Sequence, residues 1–186
     1  MSFDPRAEAA PAEVNPFTAA DVEAILRENG WLVAGPALDA DPPLLAWLTR
    51  ARELLGPHAA DRAALGRLLA LIFRFDAAAL LQEGESQAVL ARSGAREVVR
   101  ELANRVLESS DVDSDRFKEI IEGVKRAVPY RSRALFHPIR LALAGRAGEG
   151  ELDRVILLLD GAARLNFGMP VKGTRQRMLE FCAALD

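Results

Sequence analysis

The sequence predicts an all-α protein, a helical bundle of two subdomains. Three observations carry that expectation. Apolar residues recur three and four positions apart in almost every segment, no window shows sustained β alternation, and caps, glycines and prolines fall where helices would begin and end. With 186 residues, 50% of them hydrophobic and 27% charged, the chain is long enough to bury a core. Its 13 Gly and 10 Pro are ordinary numbers that set aside collagen-like and low-complexity classes.

Residues 1–16, rich in Ala, Pro and Glu, predict a loose tail. Thr18 with Asp21 three positions on forms a capping box for a helix whose Val22, Ile25 and Leu26 share one face, and Gly30 closes it. Asp41-Pro42-Pro43 starts a second helix with Leu44, Leu45, Trp47, Leu48 and Leu55, stopped by Gly56-Pro57. Asp61 caps a run holding Leu65, Leu68, Leu69, Ile72 and Phe73. Ser93-Gly94 separates a short helix with Val89 and Leu90 from one carrying Val98, Val99, Leu102, Val106 and Leu107. Ser114 is the expected cap of the next helix, with Phe117, Ile120, Ile121 and Val124 inside, and Pro129 prevents its continuation. After the connector Tyr130-Arg131-Ser132-Arg133, three more helices are expected at about 137–144, 150–159 and 174–185, punctuated by glycines such as Gly145 and Gly161. The expected division is a subdomain at 17–129 and a smaller basic one at 130–186.

Charge is unevenly spread. The formal net charge is −3, yet residues 125–177 hold eleven cations against four anions, +7, and the rest of the chain is −10. Such a division suggests a basic face on one half, although i,i+4 pairing around helices would produce the same count. Catalytic chemistry finds no support: the single Cys182 forms no internal disulfide and reads as a packing residue, and His58 and His137 lack the spacing of paired metal ligands. No phosphate loop and no dinucleotide fingerprint occurs, so neither metal nor cofactor is expected. No apolar run reaches the ~20 residues of a membrane span, and the first residues lack a basic-then-apolar signal, so a cytoplasmic protein is expected.

The stretch Leu135-Phe136-His137-Pro138-Ile139-Arg140-Leu141-Ala142-Leu143-Ala144-Gly145 resembles the Leu-Phe-x-Pro-Leu-Arg-x-Ala-Leu-Thr-Gly signature in the C-terminal part of bacterial glutamyl-tRNA synthetases. The family continues with a Gly-Pro-Glu-Leu loop and a helix ending Leu-Leu-Gly, where this chain has Glu149-Gly150-Glu151-Leu152 and Leu157-Leu158-Leu159-Asp160-Gly161. Leu44 to Leu48, Leu54 to Gly56, Leu68 to Phe75 and Phe117 to Val124 look like the helices that precede the signature, so the resemblance covers about residues 18–165.

What the resemblance implies is a freestanding anticodon-binding domain that binds tRNA. In the family, the signature arginine and the residues opening the next helix face the anticodon, which implies Arg140, Glu149 and Leu152 here; from the basic 125–177 face, Arg131, Arg133, Arg146, Lys172 and Arg175 are the expected phosphate contacts. Arg140 has a second possible role, as an internal brace joining two helices through a carboxylate. The RNA reading requires the guanidinium groups to stand on one exposed wall. Arg140 sealed inside by an acidic neighbour would leave only ancestry.

The departures matter. The synthetase's nucleotide-binding half, with its His-x-Gly-His and Lys-Met-Ser-Lys-Ser motifs, has no counterpart, so no aminoacylation is expected of this chain alone. Ala144 replaces the family's Thr, and Glu149-Gly150 replaces Gly-Pro, adding an anion beside the expected RNA surface. Two alternatives stay open: a protein-interaction module that kept the fold and lost RNA binding, and the anticodon-binding part of a split glutamyl-tRNA synthetase.

Overall fold

Short polar side chains cap five of the ten α-helices in the computed structural model, which describes residues 15–33 and 41–185. The Thr18–Asp21 capping box opens α1 (Ala19–Glu28). Asp41 opens α2 (Pro42–Leu55), which runs into a 3₁₀ turn at Gly56–His58. Asp61 opens α3 (Arg62–Phe73), and Asp76 opens α4 (Ala77–Gln82), a helix not anticipated from sequence. In each case the side-chain oxygen accepts the backbone N–H three residues on, satisfying one orphan donor of the first turn. Then come α5 (Gly84–Leu90), α6 (Ala95–Leu107), α7 (Ser114–Ala127), α8 (Ser132–Ala144), α9 (Glu151–Ala163) and α10 (Thr174–Leu185). No strand occurs among the described residues, so the all-α expectation holds.

Three local expectations need correction. The cap of α7 is Asp113, whose carboxylate accepts the Arg116 N–H at 2.8 Å, and the expected Ser114 is its first helical residue. α8 begins at Ser132, not near 137, so Pro138 lies inside it. An internal proline costs about 3 kcal/mol. Here Leu135, one turn before Ile139, shares its fully buried face, and burial of that side chain, worth about 1.5–3 kcal/mol, offsets most of the loss. α9 continues past Gly161 to Ala163, because Gly161 is where the Trp47 ring presses on the helix. A Cβ there would lie 3.2 Å from the Trp47 ring, and the indole N–H donates to the Leu158 carbonyl at 3.1 Å.

α9 is the hub, packed against α2, α3 and α8. α8 lies between α6 and α9, and α10 closes the bundle over α4, α6 and α8. Trp31, Trp47, Phe73 and Phe167 form one aromatic cluster with ring centroids 4.9–6.4 Å apart, joining the ends of α1 and α3 to the α9–α10 connection. Helices from both sides of the 129/130 connection feed one continuous core. Pro129 therefore marks a turn in the chain within shared packing.

Arg177 of α10 is fully buried. It donates to four carbonyls, those of Leu71 and Ile72 at the end of α3, Leu143 at the end of α8, and Lys172. Burial pushes the guanidinium down to about 9, still on the charged side of neutral pH.

Most of the expected tail, residues 1–14, lies outside the described residues. Asn15 is tied to α2, with its side-chain amide donating to the Arg52 carbonyl at 2.7 Å. Among the described residues no helix is long and apolar enough to cross a membrane, and no group of three or more His, Cys, Asp or Glu could hold a metal. Cys182 is half-buried against the core.

Candidate nucleic-acid interface

Gly145 ends α8 in the left-handed conformation, φ +79°, and its N–H caps the Leu141 carbonyl at 3.1 Å. Residues 146–150 then turn the chain into α9, whose first turn carries Glu151 and Asp153. Carboxylates there complement the positive end of the helix dipole. Arg140 binds this turn from below. Its Nε and Nη2 donate to the two Asp153 carboxylate oxygens at 2.8 and 2.9 Å, Nη1 donates to the Gly148 carbonyl at 2.7 Å, and the guanidinium lies 4.9 Å from the Phe136 ring centre.

Arg140 is only 7% exposed, so it is the internal brace and not an accessible anchor. Bidentate pairing of this kind fixes orientation as well as charge. Leu152 is fully buried and packs the same turn. The exposed wall expected of residues 125–177 is therefore interrupted at Arg140 and again at Arg177.

The other expected contacts divide. Arg133 and Glu149 form an exposed ion pair at 3.4 Å on the α8–α9 end. Arg131 is exposed, and its Nη1 donates to the Val128 and Tyr130 carbonyls. Lys172 lies elsewhere, donating to the Phe75 carbonyl at 3.0 Å and to Glu180 at 2.6 Å. Arg175 donates to the Leu107 carbonyl, at the end of α6. Arg146 differs from all of these: among the described residues it is exposed and makes no hydrogen bond or ion pair. It lines a hollow of about 260 Å³ together with His58, Arg67 and Glu151.

Arg67 is a residue the charge pattern of 125–177 could not bring forward, because it sits on α3. The available signal is its spacing from Arg74, seven residues on and so on the same helical face.

His137 lies in the middle of α8. Its Nε2 is buried without a partner, and its Nδ1 is 3.4 Å from the Arg92 guanidinium. Burial first, then Arg92, holds its pKa below the ordinary 6.5, with Glu149 opposing. The folded protein therefore keeps His137 neutral while the unfolded chain takes up a proton, so its contribution is present above pH 6.5 and is lost as pH falls through the lowered folded value. The urea-unfolding midpoint is expected to drop between about pH 7.5 and 5.5. A His137→Gln variant should show a flatter profile over that interval.

The fold and this turn together define an all-helical module with an internally braced inter-helix turn that presents one exposed arginine, Arg146. Two known proteins are similar to it. Glutamate–tRNA ligase 2 of Syntrophus aciditrophicus (strain SB) is 29% identical over 119 residues, 61% of this chain and 23% of that ligase. Glutamate–tRNA ligase of Sulfurihydrogenibium sp. (strain YO3AOP1) is 31% identical over 84 residues, 45% of this chain and 16% of that ligase. The chain is thus related to part of these ligases and spans less than a quarter of their length. Neither a family model nor a solved structure matches it.

Proposed function

We propose that this chain is a tRNA-binding helical module of glutamate–tRNA ligase ancestry, an anticodon-binding-like domain that contacts the RNA backbone and carries no ligase chemistry of its own. The observation that carries this reading is the braced α8–α9 turn presenting Arg146 exposed and unpartnered. Arg133, in the first turn of α8, reaches Glu149 of this turn, and their exposed pair is worth little, about 0–1 kcal/mol, so a phosphate can displace the carboxylate. The named relatives, both glutamate–tRNA ligases, support tRNA as the partner. Arg140 is sealed against Asp153, so the RNA reading built on the signature arginine falls and base readout through it is not part of the proposal, which rests on the exposed arginines outside the brace and on the ligase relatives.

Filter binding of total tRNA at two salt concentrations tests it. Binding with a steep salt dependence is expected despite the net charge of −3. Arg146→Ala should weaken binding to every tRNA alike. No binding at low salt, with co-purification of a protein that nuclease treatment leaves untouched, would instead make the chain a protein-interaction module.

A further inference from the structure

We infer that the nucleic-acid surface runs off the α8–α9 turn and across α3, as an arginine track that grips a phosphate backbone without reading bases. This inference rests on the tRNA-binding reading above. Three hollows adjoin through shared walls. The 260 Å³ hollow with Arg146 shares Arg67 with one of about 590 Å³ beneath Arg62 and Arg74. It shares His58 with one of about 300 Å³ flanked by Arg154 and Lys118.

The charge along these hollows is lopsided in a chain that is acidic overall. Six Lys and Arg side chains line them against three carboxylates, Glu28, Glu151 and Asp153. Two of the three are engaged, Asp153 by the internal Arg140 and Glu28 by Arg62 at 2.6 Å, and two of the six cations are engaged as well, Arg62 by Glu28 and Lys118 by Asp115 at 3.4 Å, which leaves four cations against Glu151. Burying Arg140 therefore has a functional side, because it engages from within the carboxylate that shares the 300 Å³ hollow with Arg154. Arg67, Arg146 and Arg154 are exposed and, among the described residues, make no ion pair or hydrogen bond. Arg74 is exposed and lies 5.4 Å over the Trp31 ring. Guanidinium forks suit phosphate oxygens.

The apolar part of the lining selects among polyanions. The large aromatic rings in the hollows, Trp31 and Phe117, are 3% and 7% exposed, which leaves the exposed His58 imidazole as the one ring there that a base could stack on. The exposed large hydrophobic side chains among the described residues, Val33, Met169 and Leu179, lie outside these three hollows. A protein partner would need apolar or aromatic anchors at the centre of its footprint. Exposed guanidinium groups without large apolar anchors suit a sugar-phosphate backbone.

The test compares the purified full chain with Arg67→Ala/Arg154→Ala and with a control pair on another face, Arg96→Ala/Arg100→Ala, all checked for unchanged thermal melting. Total tRNA is the probe across a salt series, with poly(U) and poly-glutamate as competitors. The track variant should bind roughly tenfold more weakly at low salt and lower the salt slope by about 1.4–1.8, the loss of two phosphate contacts. The control pair should stay within about twofold of the wild type. If the wild type binds and the two double variants behave alike, the track is overturned while the tRNA-binding reading stands. If the wild type does not bind, that reading itself has failed. Competition by poly-glutamate equal to that by poly(U) would overturn the assignment to nucleic acid.

Discussion

Arg177→Met is expected to be the most destabilising single substitution in the protein, costing about 3–5 kcal/mol. The methionine fills much of the space and provides no donors. The carbonyls of Leu71, Ile72 and Leu143 are orphans of two helix ends, with no N–H one turn further on to receive them. One guanidinium satisfies all three and the Lys172 carbonyl, and the negative ends of the α3 and α8 dipoles stand in for a carboxylate. Its ring contact with Phe75, at 4.6 Å, completes the enclosure. Arg177→Lys should rescue only part of the loss, since a compact ammonium with three donors cannot span four carbonyls in three segments. Guanidinium chloride unfolding reads the effect, and a fall in Tm of roughly 6–20 °C should accompany it.

Asp153→Ala should cost nearly as much, about 2–4 kcal/mol, the lower figure reflecting the partial exposure of the carboxylate. The cost comes from stranding Arg140, whose Nε and Nη2 lose their acceptors inside the protein. Removing both partners is then far cheaper than the sum of the two single changes. In Arg140→Leu/Asp153→Leu neither a buried cation nor an unpaired carboxylate remains. A double-mutant cycle by urea unfolding should therefore return a coupling of about 1–3 kcal/mol. Additive single effects would mean that the brace does not exist in solution.

Helix existence was legible because it is written locally. Thr18 with Asp21, and Asp41 and Asp61 ahead of apolar runs, announce α1 to α3 from a few residues each. Boundaries set by distant packing were not. Pro138 carries the local signal of a first turn, and only the buried contacts of Leu135 carry the helix back beyond it. Gly161 looks like a helix stop until Trp47, more than a hundred residues earlier, is seen lying across it.

The site divides in the same way. Arg140 could be a brace or an anchor on sequence alone, because its partner Asp153 comes into reach only after the turn at 145–150 has formed. Arg177 looks like any cation of a surface helix, and its acceptors at Leu71 and Ile72 lie over a hundred residues upstream. The track could not be read as a motif: Arg67, Arg146 and Arg154 belong to three segments that only the packing of α9 on α3 and α8 brings together.

The central claim is a division of labour among arginines, with some holding the turn and others facing RNA. A ¹H–¹⁵N spectrum of the arginine Nε groups, recorded while tRNA is titrated in, addresses it most directly. The Nε–H signals of Arg140 and Arg177 should exchange slowly with solvent and stay in place, while those of Arg67, Arg146 and Arg154 shift together. Movement of the Arg140 signal with loss of its protection, and stationary signals from the other three, would contradict the account.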